Sequence, residues 1–150
     1  MTETPATPEG GRLPRQIPYI IGNEACERFS FYGMRNILVI YMVQYLALSA
    51  ADSKASYHYF VMANYLMPLV GGWLADRFLG RYKVILFLSF GYVLGHVVVA
   101  AVETRTGLLA GCALIAIGAG GIKPCVSAFV GDQFGPDQKH LLAKVYGLFY

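Results

Sequence analysis

Four ionisable residues stand where a lipid-facing helix carries none. Glu24, Glu27, Arg28 and Arg35 lead directly into the apolar stretch from Ile37 to Leu48. An ionised side chain at the centre of a membrane helix costs roughly 2.5–3.5 kcal/mol on insertion scales. A segment holding four of them is stable only if they face a protein interior or a watery cavity and neutralise one another. Groups so placed mark an ion or substrate pathway.

The surrounding composition supports a membrane setting. The chain is 56% hydrophobic and 14% charged, whereas soluble domains average about 25% charged residues. Apolar runs approach the length of about 20 residues that a helix needs to cross the hydrocarbon core. Residues 1–17 read as a disordered cytoplasmic tail rich in Pro, Gly and Thr. They hold no signal-type apolar core, so the first membrane helix is expected to remain in the mature protein. Cys26, Cys112 and Cys125 are dispersed, which gives neither a disulfide framework nor zinc-ligand spacing and leaves them as packing residues. The net charge is +3, but the basic residues form no patch or stripe of the kind that binds nucleic acid.

Spanning helices are expected at about 18–47, 57–75, 84–102 and 108–130, with a fifth starting near Lys144. With the tail inside, the cytoplasmic side receives Arg12, Arg15, Arg77, Arg81, Lys83, Lys139 and Lys144, and the outside only Lys54 and Arg105. That asymmetry predicts a multi-pass integral membrane protein with its amino terminus in the cytoplasm. The chain stops inside an apolar helix, Gly147-Leu148-Phe149-Tyr150, and is expected to open a longer polypeptide.

At 100° per residue, Glu24, Glu27, Arg28, Phe31, Tyr32 and Arg35 share a helix face about 140° wide. Glu24 and Arg28 stand at i,i+4 and can pair along the helix. Lys123, on the fourth helix, adds a third positive charge. Two carboxylates then leave one cation uncompensated, which suits an anionic ligand group such as a peptide carboxylate. Protonating a glutamate enlarges the excess and so couples proton uptake to ligand affinity. The competing reading is a set of salt bridges that only locks the first helix to the fourth.

On the second helix Tyr57, His58 and Tyr65 share a face. His58 can relay protons or hold an outer gate, or belong to an interfacial aromatic belt, whereas Tyr65 lies deep enough to line a cavity. In the loop that follows, Asp76 can cap a neighbouring helix, and Arg77 and Arg81 can reach carboxylates on adjacent helix ends; a plain positive-inside turn explains the same residues. The run Gly118-Ala119-Gly120-Gly121-Ile122-Lys123 lacks the phosphate-loop spacing, and Pro124 stands where Ser or Thr is required. Close helix packing accounts for the glycines, and Lys123-Pro124 predicts a local break.

These segments resemble the proton-dependent oligopeptide transporter family of the major facilitator superfamily. Glu24 to Arg35 is similar to the family's E-x-x-E-R-F-x-Y-Y-G-M-R motif, with Phe31 in place of its first tyrosine; Gly71 to Lys83 resembles its helix 2–3 loop, and Gly118 to Phe134 its helix 4 segment. The resemblance implies an all-α membrane protein, a helical bundle of which this chain holds four transmembrane helices and the start of a fifth. It implies proton coupling at Glu24, Glu27 and Arg28 with Lys123 as partner, and peptide contact by Tyr32, Arg35, Tyr41, Tyr65 and Lys123. His58 aligns with a histidine important in animal members. The implied activity is proton-coupled symport of di- and tripeptides by alternating access, in the plasma membrane or a bacterial inner membrane. The proton is then the coupling ion, with no cofactor or metal, and the fragment alone is not expected to transport. Carriage of nitrate or another small anion is the alternative within transporters, and a structural membrane scaffold the alternative outside them. An enzyme is not expected, because no nucleophile–base or metal-ligand motif is present.

Overall fold

The computed structural model describes residues 13–135 and 138–149, and within them the architecture is helical throughout. Helix α1, Ile17–Ile40, runs on through a π-helical turn, Tyr41–Tyr45. Helix α2, Ala50–Leu74, likewise ends in a π-helical turn, Ala75–Leu79; α3 is Arg81–Ala101, α4 Arg105–Asp132 and α5 Lys139–Phe149. Most of the tail expected over 1–17 lies outside the described residues.

Local chemistry explains where the helices begin. The start of α2 precedes the expected position by seven residues because Ser49 caps it: its hydroxyl accepts from the Asp52 amide at 3.0 Å and donates to the Asp52 carboxylate at 2.8 Å. The first two turns are polar and invisible to hydropathy. Thr104 caps α4 in the same way, accepting from the Gly107 amide at 3.1 Å. Between α2 and α3 the chain reverses at Gly80, whose φ of 78° is left-handed and favours glycine. Helix α5 starts at Lys139 rather than near Lys144, and its first turn already buries Leu141, one turn before Val145.

Helix α4 is the central post, packed between α2 and α3, and its small residues make that possible. A Cβ on Gly71 of α2 would lie 2.2 Å from the Gly121 carbonyl oxygen of α4, and one on Gly95 of α3 would lie 2.8 Å from the Gly111 carbonyl oxygen. Backbones this close need glycine on both sides. The break expected at Lys123-Pro124 is absent, since α4 is continuous through Pro124, as α2 is through Pro68. Neighbouring helices on both sides hold the proline-bearing turn in helical geometry.

Helix α1 is tied to α3 by side-chain hydrogen bonds. The hydroxyls of Ser30 and Tyr92 lie within hydrogen-bonding distance of each other and, at 3.0 and 3.2 Å, of the Glu27 carbonyl; with one proton apiece, one hydroxyl donates to the other and that one donates to the carbonyl. Further along, Tyr41 donates to the Val99 carbonyl of α3 at 3.3 Å. Two helices, α3 and α4, are long and apolar enough to cross a membrane by length and composition. Four such spans were expected; α1 and α2 fall short on composition because their interiors carry the charged and polar residues described above. Apolar side chains stay exposed along the outer faces, among them Leu69 at 74% and Phe90 at 69%, as a surface turned toward lipid or further helices requires.

Gly71→Val should destabilise the fold by about 1–3 kcal/mol or more through overpacking at the α2–α4 crossing, read as a lower melting temperature in detergent. Gly91→Ala, with open space around its Cβ position, should melt like the parent. Tyr92→Phe should cost about 1 kcal/mol by removing the α1–α3 hydroxyl bridge.

Candidate functional site

The charged face of α1 resolves into two parts. Glu24, 6% exposed, accepts from Arg28 Nε at 2.8 Å and Nη2 at 2.7 Å, so the pair predicted at i,i+4 is formed and neutralises itself. Glu27 carries a buried Oε1 with no hydrogen-bond partner among the described residues. It feels the charges of Glu24, Lys123 and Arg28 through space.

The cations without a carboxylate face a different space. Arg35 Nε donates to the Tyr57 hydroxyl at 2.8 Å. Lys123 Nζ stands over the Phe31 ring, 5.0 Å from its centroid, a cation–π contact. No ion pair among the described residues involves either. A cavity of about 140 Å³ lies between α1, α2 and α4, lined by Phe31, Tyr32, Arg35, Val61, Asn64, Tyr65, Pro68 and Lys123. Two guanidinium or ammonium groups, two phenols and apolar walls make a site for a small anionic group with an apolar body.

Four of the five residues nominated for peptide contact, Tyr32, Arg35, Tyr65 and Lys123, therefore share one cavity. Tyr41 does not line it: its hydroxyl is turned to Val99 and its ring stacks on Tyr45 at 5.2 Å. His58 is exposed, edge-on to Tyr57 at 6.0 Å, and lines no part of the cavity. The carboxylates Glu24 and Glu27 open instead onto a second cavity of about 330 Å³, with Asn23, Ser30, Ser89 and Tyr92. Glu27 and Arg35 sit on one stripe of α1 but line two different spaces.

At the other end of the helices, Arg81 Nη1 lies 2.6 Å from both oxygens of Asp132, tying the start of α3 to the end of α4. Asp76 approaches Arg81, the first residue of α3, to 4.0 Å with its side chain 73% exposed, a loose ion pair at that helix end and not a side-chain cap. Arg77 is exposed and makes no ion pair among the described residues.

Sequence reasoning missed Asn64, Tyr92, Ser30 and Asp132, and gave Tyr57 only a place on a face. Asn64 and Tyr92 are neutral, so a search for charge passes over them. The available signal was a lone amide inside an apolar run and an acid at the carboxyl-terminal end of α4, within reach of Arg81 at the start of α3.

The geometry can be set beside proteins already characterised. A family profile described as the POT family matches residues 82–150. The chain is 48% identical over 145 residues to Peptide transporter family 1 of Drosophila melanogaster, covering 91% of this chain and 20% of that protein. It is 40% identical over 151 residues to human Solute carrier family 15 member 2, covering 94% and 21%. It thus spans about a fifth of the length of these relatives. The crystal structure of the POT family transporter PepTSo superposes with a TM-score of 0.89 at 50% identity, over 93% of this chain and 29% of that one. A mutant of a peptide transporter POT in complex with alafosfalin gives 0.87 at 32% identity, over 96% and 31%. Motif, helix packing and sequence agree with one another over nearly the whole chain: it belongs to the POT family of transporters, with the all-helical fold of the major facilitator type.

Proposed function

We propose that this chain is part of a proton-coupled symporter of di- and tripeptides that works by alternating access. The observation that carries the reading is the cavity in which Arg35 and Lys123, both without a carboxylate partner, face Tyr32 and Tyr65. The cations take the peptide's carboxylate end, and the phenols and Phe31 flank its body. The relatives' names, peptide transporter among them, support the substrate class.

Coupling follows from charge. While Glu27 is ionised, its field holds Lys123 back from a ligand; a proton on Glu27 removes that field and leaves the ammonium for the peptide carboxylate. Arg28 and Glu24 fix the neighbouring charge so that Glu27 is the group whose state changes. The proton is the coupling ion, and no cofactor is needed. The Arg81–Asp132 pair at the inner helix ends holds the bundle closed on that side and parts when the cavity opens inward. The positive-inside count supports a cytoplasmic amino terminus, and the reading is of a carrier in a plasma membrane or bacterial inner membrane.

In proteoliposomes containing a carrier that includes this chain, Glu27→Gln should reduce dialanine uptake driven by a proton gradient at least about tenfold, while dialanine counterflow without a gradient continues. Wild-type uptake by Glu27→Gln contradicts the coupling role. Lys123→Gln should weaken dialanine binding about tenfold or more, the loss of one charge-assisted hydrogen bond. If nitrate but not dialanine competes for the site, the carrier transports small anions instead.

A further inference from the structure

Two complementary groups, each lacking its natural partner, line the same cavity. Asn64 is 8% exposed, its Nδ2 donates to the Phe60 carbonyl at 2.9 Å, and its Oδ1 is buried without a hydrogen-bond partner among the described residues. Chemistry fixes the amide's orientation: turned over, the oxygen would meet the Phe60 carbonyl oxygen, acceptor against acceptor. The nitrogen is committed, and the oxygen is an acceptor lacking a donor, a costly arrangement in a protein interior. Lys123 is the converse. It has three donors, makes no ion pair among the described residues, and rests against the Phe31 ring.

Helix packing sets the two groups side by side. Gly120 lies so close to α2 that a Cβ there would be 3.0 Å from the Asn64 carbonyl oxygen. Lys123 follows Gly120 by about one turn of α4. Helical side chains lean toward the amino terminus, which carries the ammonium back toward the level of Gly120 and Asn64. The other charged or titratable groups around Lys123 are Glu27, Arg35, Tyr32 and Tyr65. Arg35 repels it, and the phenols of Tyr32 and Tyr65 belong to exposed side chains. Glu27 attracts it only while ionised.

We propose that the Asn64 amide oxygen is a second seat for the Lys123 ammonium, alternating with the Phe31 ring, and that Asn64 is a positioning residue which presents Lys123 to the anionic end of the substrate. The seat remains when Glu27 is protonated, the state in which Lys123 would otherwise lack an oxygen partner. The substrate in this statement rests on the transport reading above; the seat itself does not.

Asn64→Leu, close in volume, removes the acceptor. Asn64→Ala removes it in a second way, leaving no polar side-chain atom, and it serves if the leucine variant fails to fold. For a detergent-solubilised carrier that includes this chain, either variant should raise the Kd for dialanine about fivefold, and this increase should vanish in a Lys123→Gln background. A wild-type Kd, or the same fivefold increase without Lys123, overturns the proposal. A second arm needs no peptide: modification of Lys123 by an amine-reactive reagent, followed by mass spectrometry, should run about threefold faster in the leucine variant as the ammonium loses its seat. Unchanged labelling also overturns the seat. Faster labelling in a protein that binds no dialanine sinks the transport reading and keeps the seat.

Discussion

Everything in this bundle turns on how charge is balanced along one helix. Glu24 and Arg28 pair at 2.7 Å and cancel. That local cancellation leaves Glu27 on one side, and Arg35 and Lys123 on another, as charges without contact partners of opposite sign among the described residues. Half-buried charges left in this way are costly, and membranes retain them where they do chemistry or bind ions. The chain keeps a stripe that is neutral in part and cationic in part, and the cationic part lines a cavity.

That arrangement depends on α4. Lys123 reaches the space between α1 and α2 only because Gly118, Gly120 and Gly121 let α4 approach its neighbours at backbone distance. Helix packing and the binding site are one construction: larger residues on this face would push the lysine away from Phe31 and Asn64. The same close packing keeps α4 continuous through Pro124, so the lysine sits on a rigid post rather than at a hinge. The Arg81–Asp132 tie fastens the end of that post to the start of α3.

Much of this was legible from the residues because charge inside an apolar span is a loud signal. The helical period placed Glu24 against Arg28 and set Tyr32 and Arg35 on the same face, while Lys123 entered as a third charge on another helix and through the family resemblance. What could not be read was the division of the stripe between two cavities. That division depends on where Phe31 and Tyr92 pack, and nothing in their spacing says so. The cap at Ser49 was readable but overlooked, because the polar turns of α2 carry no hydropathy. Asn64 was missed for a different reason: a neutral amide becomes notable only when one of its atoms is found buried and unpaired. Tyr41 stood on the motif's authority, but its hydroxyl turns to Val99.

The central claim is that Arg35 and Lys123 receive a carboxylate in the cavity they line. Equilibrium binding of dialanine and of its carboxyl-terminal amide to a carrier that includes this chain tests it most directly. The free acid should bind about tenfold more tightly than the amide, and the difference should collapse in a protein carrying Arg35→Gln and Lys123→Gln. Equal binding of acid and amide by the parent protein, or a preference that survives both substitutions, would contradict the account.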